Sequence, residues 1–172
     1  AETIIEALGL FHPSLLPGFT GPGKPEVYLE PMKRFVEPDR RVLFLVPEIA
    51  LPPHLLPRLP PRPAPPPPVL PSALPDRGRL AEWRRAASGD AAVVLGTRSA
   101  IFTPLARPGL IVVDEEHDPS LKQQDGFRYH GRDLAIVRAQ RAGIPIVLGS
   151  ATPSLESLAN ARHGHYARVD LE

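Results

Sequence analysis

Short, unbroken apolar runs recur along this chain at intervals that few architectures accommodate. The clearest is "VLFLV" at residues 42–46. Consecutive apolar residues, without the polar alternation of a half-exposed strand, mark a strand buried on both faces, as in a parallel sheet. "AAVVLGT", "LIVVDEEH" and "IPIVLGSAT" repeat the pattern, and "SLLPGFTG" is a shorter apolar run entering a glycine turn. Helical stretches separate them. Residues 1–10 carry Ile4, Ile5 and Leu8 at helical spacing, and "PEVYLEPMKRFV" reads as a helix kinked or shortened by Pro31. "DRGRLAEWRRAASG" places Leu80, Trp83 and Ala87 on one face and stops at Gly89. "GRDLAIVRAQRAG" closes at Gly143, and "PSLESLANARHG" has Pro153 near its first turn. "YARVDL" is a candidate last strand. The alternation predicts an α/β fold, a parallel sheet with helices on both faces.

Proline interrupts this order in one place. Half of the 24 prolines fall within residues 52–75, whereas ordinary usage is ~5%. Proline lacks a backbone donor and clashes with the preceding turn, so polyproline II or irregular coil is expected there. The expected organisation is one domain over 1–172 with a proline-rich irregular insert at 52–75.

Ligands of parallel α/β sheets bind at the carboxyl ends of the strands. The informative loops are therefore those at Gly18, Pro47, Gly96, Asp114 and Ser150. The loop "GFTGPGKPEVYL" approximates the phosphate-binding pattern G-x-x-x-x-G-K-[S/T], with Gly18, Gly23 and Lys24 in register and Pro25 where a hydroxyl belongs. Backbone N–H groups of such a turn point at phosphate, and a helix start adds favourable charge. The candidate nucleotide-binding set is Gly18, Thr20, Gly21, Gly23, Lys24 and Pro25; a glycine-rich turn with an incidental lysine is the plainer alternative. In "LIVVDEEH" a buried strand delivers Asp114, suited to a Mg²⁺ ion that takes one or two carboxylates plus phosphate oxygens, and Glu115, suited to deprotonate an attacking water. An acidic turn after a strand is the alternative, but one lying 90 residues beyond Lys24 in an α/β chain favours the nucleotide reading. In "GSATPS", Ser150 and Thr152 could link this site to a second one, and Thr152 before Pro153 also suits a helix start. In "KQQDGFRYHGRD", Phe127 and Tyr129 alternate with Arg128 and His130. Either they stack on unpaired bases or they tuck into the core.

The bounds are permissive. A chain of 172 residues suffices for a domain with a core. A net charge of +1 supplies no overall field for or against a nucleic-acid partner. The lack of cysteine excludes a disulfide framework and a cysteine-ligated zinc site within this chain. No apolar run approaches the roughly 18 residues needed to span a membrane, and the first residues lack the parts of a signal peptide. A soluble cytoplasmic protein without membrane partners is expected.

Taken together, "GFTGPGKPEVYL", "VLFLVPEIAL", "VVLGTRSAIFTPL", "LIVVDEEHD", "KQQDGFRYHGRD" and "VLGSATPSLES" resemble the primosomal replication-restart DNA helicases, the PriA family (primosomal protein N′) of superfamily two. The similarity covers nearly the whole chain and is weakest over 52–75. "DEEH" and "SAT" are common to many such helicases, while "VPEIAL", "GTRSAIF" and "KQQDGFRY" are more particular. The resemblance implies a P-loop NTPase fold, the first of two RecA-like motor lobes. Such enzymes use Mg-ATP and move 3′→5′ on single-stranded DNA at stalled forks, with other primosome and single-strand-binding proteins as partners. It implies that Gly21, Gly23 and Lys24 cradle phosphate, and that Asp114 (metal) and Glu115 (water) act with His117 as the catalytic group. It further implies that His117, Ser150 and Thr152 couple hydrolysis to DNA. By the same resemblance, Pro47, Glu48, Gly96, Thr97 and Arg98 line the DNA path, and Phe127, Arg128 and Tyr129 belong to a loop that senses DNA. The family's second lobe, amino-terminal DNA-binding region and cysteine-rich zinc region do not match this chain. The chain is thus expected to be one module of a longer protein, with zinc only elsewhere in it.

Two residues depart from the family pattern, Pro22 and Pro25, where Ser and Thr are usual. Pro25 removes a Mg²⁺-binding hydroxyl and a backbone donor, and it disfavours the helical conformation at Lys24. A weakened Mg-ATP site, or a non-catalytic descendant, is the corresponding expectation. An interaction protein that docks "PPRPAPPPP" on aromatic grooves would explain the prolines but none of the strand-end motifs.

Overall fold

The computed structural model describes residues 10–18, 32, 40–47, 69–70 and 75–169. Within them the chain forms strands β1 (Pro13–Pro17), β2 (Arg41–Leu45), β3 (Val69–Leu70), β4 (Val93–Gly96), β5 (Pro108–Val113), β8 (Ile146–Ser150) and β9 (Ala167–Arg168), which join in one seven-stranded sheet. Its order is β3-β4-β2-β5-β8-β1-β9, and every pairing in it is parallel. A separate two-stranded antiparallel ribbon pairs β6 (Lys122–Gln123) with β7 (Tyr129–His130). The helices are α1 (Asp76–Ser88), α2 (Gly131–Ala142) and α3 (Leu155–Arg162), with 3₁₀ turns at Arg98–Phe102 and Pro119–Leu121.

The unbroken apolar runs explain the sheet. Successive side chains of a strand point to opposite faces, so a run with no polar member must be covered twice. Val42, Phe44 and Val46 face one core with Leu95, Leu110, Val112 and Val147. Leu43 and Leu45 face the other, with Val94, Ile111, Val113, Ile146 and Leu148. The second core is closed by Ala86 of α1, Ala135 and Ala139 of α2, and Ala100 and Ile101 of the first 3₁₀ turn. On the first face Met32, a fully buried helical residue, joins the strand residues together with Val46, and the partly buried Ala92 and Val169 pack against them.

Three expectations need qualification. The helix at 76–88 ends at Gly89 as predicted, but its buried residue is Ala86, while Leu80 and Trp83 are 48% and 43% exposed and Ala87 is exposed. Helical spacing groups Leu80, Trp83 and Ala87 on one side but does not say which side meets the sheet; here Ala86 joins Leu70 of β3 in the second core. Within the proline-rich stretch, Val69 and Leu70 form a strand that pairs with Leu95 and Gly96. They are consecutive residues free of proline, so their donors are available to a ladder. Helix α3 starts after Ser154 rather than Thr152, because the Ser154 hydroxyl accepts from the Ser157 N–H. The expected helix at the amino terminus, nearly all of that in "PEVYLEPMKRFV", and the rest of 52–75 lie outside the described residues.

Candidate functional site

The parallel sheet brings five loops to one edge. Register pairs Pro17 with Ser150, Leu45 with both Gly96 and Val113, and Val113 with Leu148. Backbone bonds continue past the strand ends: Gly18 N–H donates to Ser150 O (3.0 Å), Val46 N–H to Gly96 O (3.0 Å), Asp114 N–H to Leu45 O (2.9 Å) and Glu116 N–H to Gly149 O (3.0 Å). The tips of β1, β8 and β5 are therefore neighbours. Gly18 and Asp114 sit on either side of Ser150, about two strand spacings or ~10 Å apart, a span that a metal-bound triphosphate can bridge. Gly18 has φ 91°, a left-handed turn that glycine adopts without strain. Thr20, Gly21, Gly23, Lys24 and Pro25, with Glu48, lie outside the described residues.

The acidic turn has an unusual backbone. Glu115 has φ 44°, a conformation that costs a side-chain-bearing residue energy and recurs at functional sites. The Glu115 N–H donates to Asp114 Oδ1 (3.0 Å), and Asp118 N–H donates to Glu115 O (2.8 Å), which closes the turn. Asp114 and Glu115 are half-buried and His117 is exposed, its Nδ1 3.6 Å from Glu115 Oε2. Among the described residues no three metal-capable side chains cluster. A Mg²⁺ ion needs no such cage, since phosphates and water complete its oxygen shell, and the single strand-tip carboxylate of Asp114 fits that donor chemistry.

Ser150 and Thr152 reach the same turn. Ser150 Oγ lies 2.7 Å from His117 Nδ1, and Thr152 Oγ1 lies 3.2 Å from Nε2. Thr152 N–H donates to Ser150 Oγ (3.0 Å). A neutral imidazole offers one donor and one acceptor, so the two hydroxyls clasp both edges of the ring. The turn after β5 and the turn after β8 are thereby held as one unit.

The residues assigned to a nucleic-acid path divide. Pro47, Gly96 and Thr97 are buried at the tips of β2 and β4. A Cβ on Gly96 would collide with Ala100 Cβ and stand 3.1 Å from Leu70 O, so close packing of the 3₁₀ turn on β4 requires this glycine. Arg98 Nη1 donates to the carbonyls of Ser120 (2.7 Å) and Lys122 (3.0 Å), fastening the 3₁₀ turn to the ribbon. Beyond the ribbon, Phe127 is 77% exposed and Arg128 is exposed, while Tyr129 is half-buried. Tyr129 lies between Phe127 (centroids 6.0 Å) and Phe102 (5.0 Å, edge-on), and Phe102 is itself 53% exposed. Tyr129 is thus half tucked against the core, and Phe127 is turned out to solvent. A cleft of about 560 Å³ beside them is lined by Lys122, Gln123, Gln124, Arg128, Tyr129 and His130. Burial pushes the His130 imidazole below its ordinary pKa, with Asp133 opposing, so the neutral ring is favoured.

Sequence reasoning passed over Glu116. It is fully buried, yet its carboxylate accepts from Arg132 Nη1 (3.0 Å), Ser154 N–H (2.7 Å), Ser154 Oγ (3.0 Å) and Ser157 Oγ (2.9 Å). Burial works against the Arg132 charge, but bonds to Glu116 and Asp133 more than offset it and hold its pKa above the ordinary value. The partners lie 16 to 41 residues away, so no local pattern announces them. Phe102, Arg132 and Ser157 were missed for the same reason.

Residues 3–161 match the family model described as DEAD/DEAH box helicase. The chain is 49% identical over 166 residues to the replication restart protein PriA of Haemophilus influenzae, covering 94% of this chain and 23% of that protein. It is 41% identical over 158 residues to that of Bacillus subtilis, covering 92% and 20%. The chain thus spans less than a quarter of the length of these curated relatives. The crystal structure of the DUF1998 helicase MrfA bound to DNA has a similar fold, with a TM-score of 0.53 at 13% identity over 90% of this chain and 22% of that one.

Proposed function

The chain belongs to the DEAD/DEAH box helicases, and from that membership we propose that it is the ATP-binding motor lobe of a 3′→5′ DNA helicase that acts in replication restart in the cytoplasm. Mg-ATP binds at the shared edge of β1, β8 and β5. Gly18, Thr20, Gly21, Gly23, Lys24 and Pro25 contribute the phosphate loop. Asp114 holds Mg²⁺, which when bound offsets the phosphate charge, and Glu115 takes a proton from the attacking water. His117, Ser150 and Thr152 pass the state of this site to the DNA path. That path is formed by Pro47, Glu48, Gly96, Thr97 and Arg98 and by the exposed loop carrying Phe127, Arg128 and Tyr129. Single-stranded and forked DNA are the nucleic-acid partners, and other primosome and single-strand-binding proteins the protein partners. The observation that carries the reading is the clasp of His117 by Ser150 and Thr152, which joins the acidic turn to the turn of the neighbouring strand.

Pro22 and Pro25 favour a second reading, a lobe that keeps the fold and binds Mg-ATP weakly. Calorimetric titration of Mg-ATP into the unaltered protein and into Pro22→Ser/Pro25→Thr tests both. Restoring a hydroxyl ligand and a backbone donor to a charged ligand is expected to tighten binding at least about tenfold. Micromolar binding by the unaltered protein would contradict the damage reading, and no binding by either form would contradict the nucleotide site.

A further inference from the structure

The buried Glu116 carboxylate is the meeting point of three segments that the sequence keeps apart. Arg132 is the second residue of α2 and lies two residues beyond the Tyr129–His130 strand of the exposed aromatic loop. Ser154 caps α3 two residues beyond Thr152. Glu116 itself stands between Glu115 and His117. Arg132 Nη1 bonds Glu116 Oε2 (3.0 Å) and also Ser154 Oγ (2.7 Å), while Arg132 Nε bonds Asp133 Oδ1 (2.8 Å). The Ser154 hydroxyl gives its proton to Glu116 and accepts from Arg132 and from Ser157 N–H, so its bonding capacity is used fully.

A buried ion pair is a poor way to add stability, because an apolar pair of similar volume often serves as well. What it supplies is a fixed link: one charge-assisted bond joins Arg132 Nη1 to Glu116 Oε2, and the same nitrogen is held by Ser154 Oγ. We infer that Glu116 and Arg132 are positioning residues that carry a displacement of the aromatic loop, on binding single-stranded DNA, to Asp114, Glu115 and His117. This rests on the motor-lobe reading. Tyr129 and His130 are tied to Lys122 and Gln123 by the ribbon, and α2 begins at the next residue. A shift of the loop therefore moves the Arg132 backbone, and the guanidinium hands that movement to the acidic turn.

The test compares ATP hydrolysis by the intact protein with and without an oligo-dT strand, together with oligo-dT affinity by fluorescence anisotropy. In Glu116→Gln/Arg132→Met, which removes both charges at once, the ratio of stimulated to unstimulated rate is expected to fall about tenfold while oligo-dT still binds. A fall of both rates in proportion, leaving the ratio unchanged, would make the pair a structural support only and overturn the inference. Should that variant melt below the assay temperature, Ser157→Ala decides: it deletes one donor to Glu116 and keeps the ion pair. A fall of about threefold in the ratio is then expected, and an unchanged ratio overturns the inference. A wild-type protein whose hydrolysis ignores oligo-dT removes the motor-lobe reading itself, and the inference with it.

Discussion

Glu115→Gln is expected to leave Mg-ATP affinity nearly unchanged and to slow DNA-stimulated hydrolysis by about two to four orders of magnitude, the usual worth of a general base. The amide has the size of the carboxylate but does not take a proton from water at neutral pH. The backbone strengthens the assignment. Glu115 is held at φ 44°, and the turn that holds it is closed by Asp118 and aligned by Asp114 Oδ1. Strain of this kind persists only where the surroundings over-determine it, and here both neighbours of the turn are fixed: Asp114 to β2 by its N–H, and Glu116 to β8 by its own. Asp114→Asn is expected to differ in kind: in the proposed role of metal ligand, its loss weakens nucleotide binding itself. Pre-steady-state hydrolysis and calorimetry separate the two effects. A Glu115→Gln protein that hydrolyses ATP within about threefold of the wild type would remove Glu115 from the role of base.

Arg132→Ala is expected to be the most destabilising single change among the described residues of the site. It leaves a fully buried carboxylate, Glu116, without its counter-charge. Breaking one partner of a buried pair costs about 3–5 kcal/mol, which for a unit of this size corresponds to a melting temperature lower by roughly 6–20 °C. Glu116→Gln/Arg132→Met should recover most of that loss, since it removes both charges together. Differential scanning calorimetry of the two variants beside the wild type reads the effect directly. A shift under about 2 °C for Arg132→Ala would show that solvent or rearrangement satisfies Glu116.

The parallel sheet was legible because its strands announce themselves. A run such as 42–46 has no polar face and fits only a doubly covered strand, and the loops that follow the strands at Gly18, Pro47, Gly96, Asp114 and Ser150 do share one edge. The small strand at Val69–Leu70 was not legible, because the prolines around it dominate the local pattern. The orientation of α1 was not legible either. Spacing groups Leu80, Trp83 and Ala87, but only the sheet decides that Ala86 lies inward. In the site, the neighbours that a sequence can foretell are those at strand tips, such as Gly18, Asp114 and Ser150, where topology alone fixes position. Glu116, Arg132 and Ser157 escaped notice because their pairing depends on three turns meeting in space, a long-range fact that charge and periodicity do not carry. Arg98 shows the same limit: in a segment expected by resemblance to line the DNA path, its Nη1 donates to the carbonyls of Ser120 and Lys122, partners 22 and 24 residues away that its local sequence does not name.

The proposed function requires a metal-bound nucleotide over the carboxyl tips of β1, β8 and β5. Mn²⁺ with a non-hydrolysable ATP analogue tests it through paramagnetic broadening of backbone amide signals. Broadening is predicted to be strongest at Gly18, Asp114, Glu115 and Ser150, and weakest at Asp90 and Ile144, which precede β4 and β8 about one strand length (~17 Å) away at the opposite edge. It should diminish in Asp114→Asn. Broadening centred on Asp90 and Ile144, or none at the strand tips, would contradict the claim.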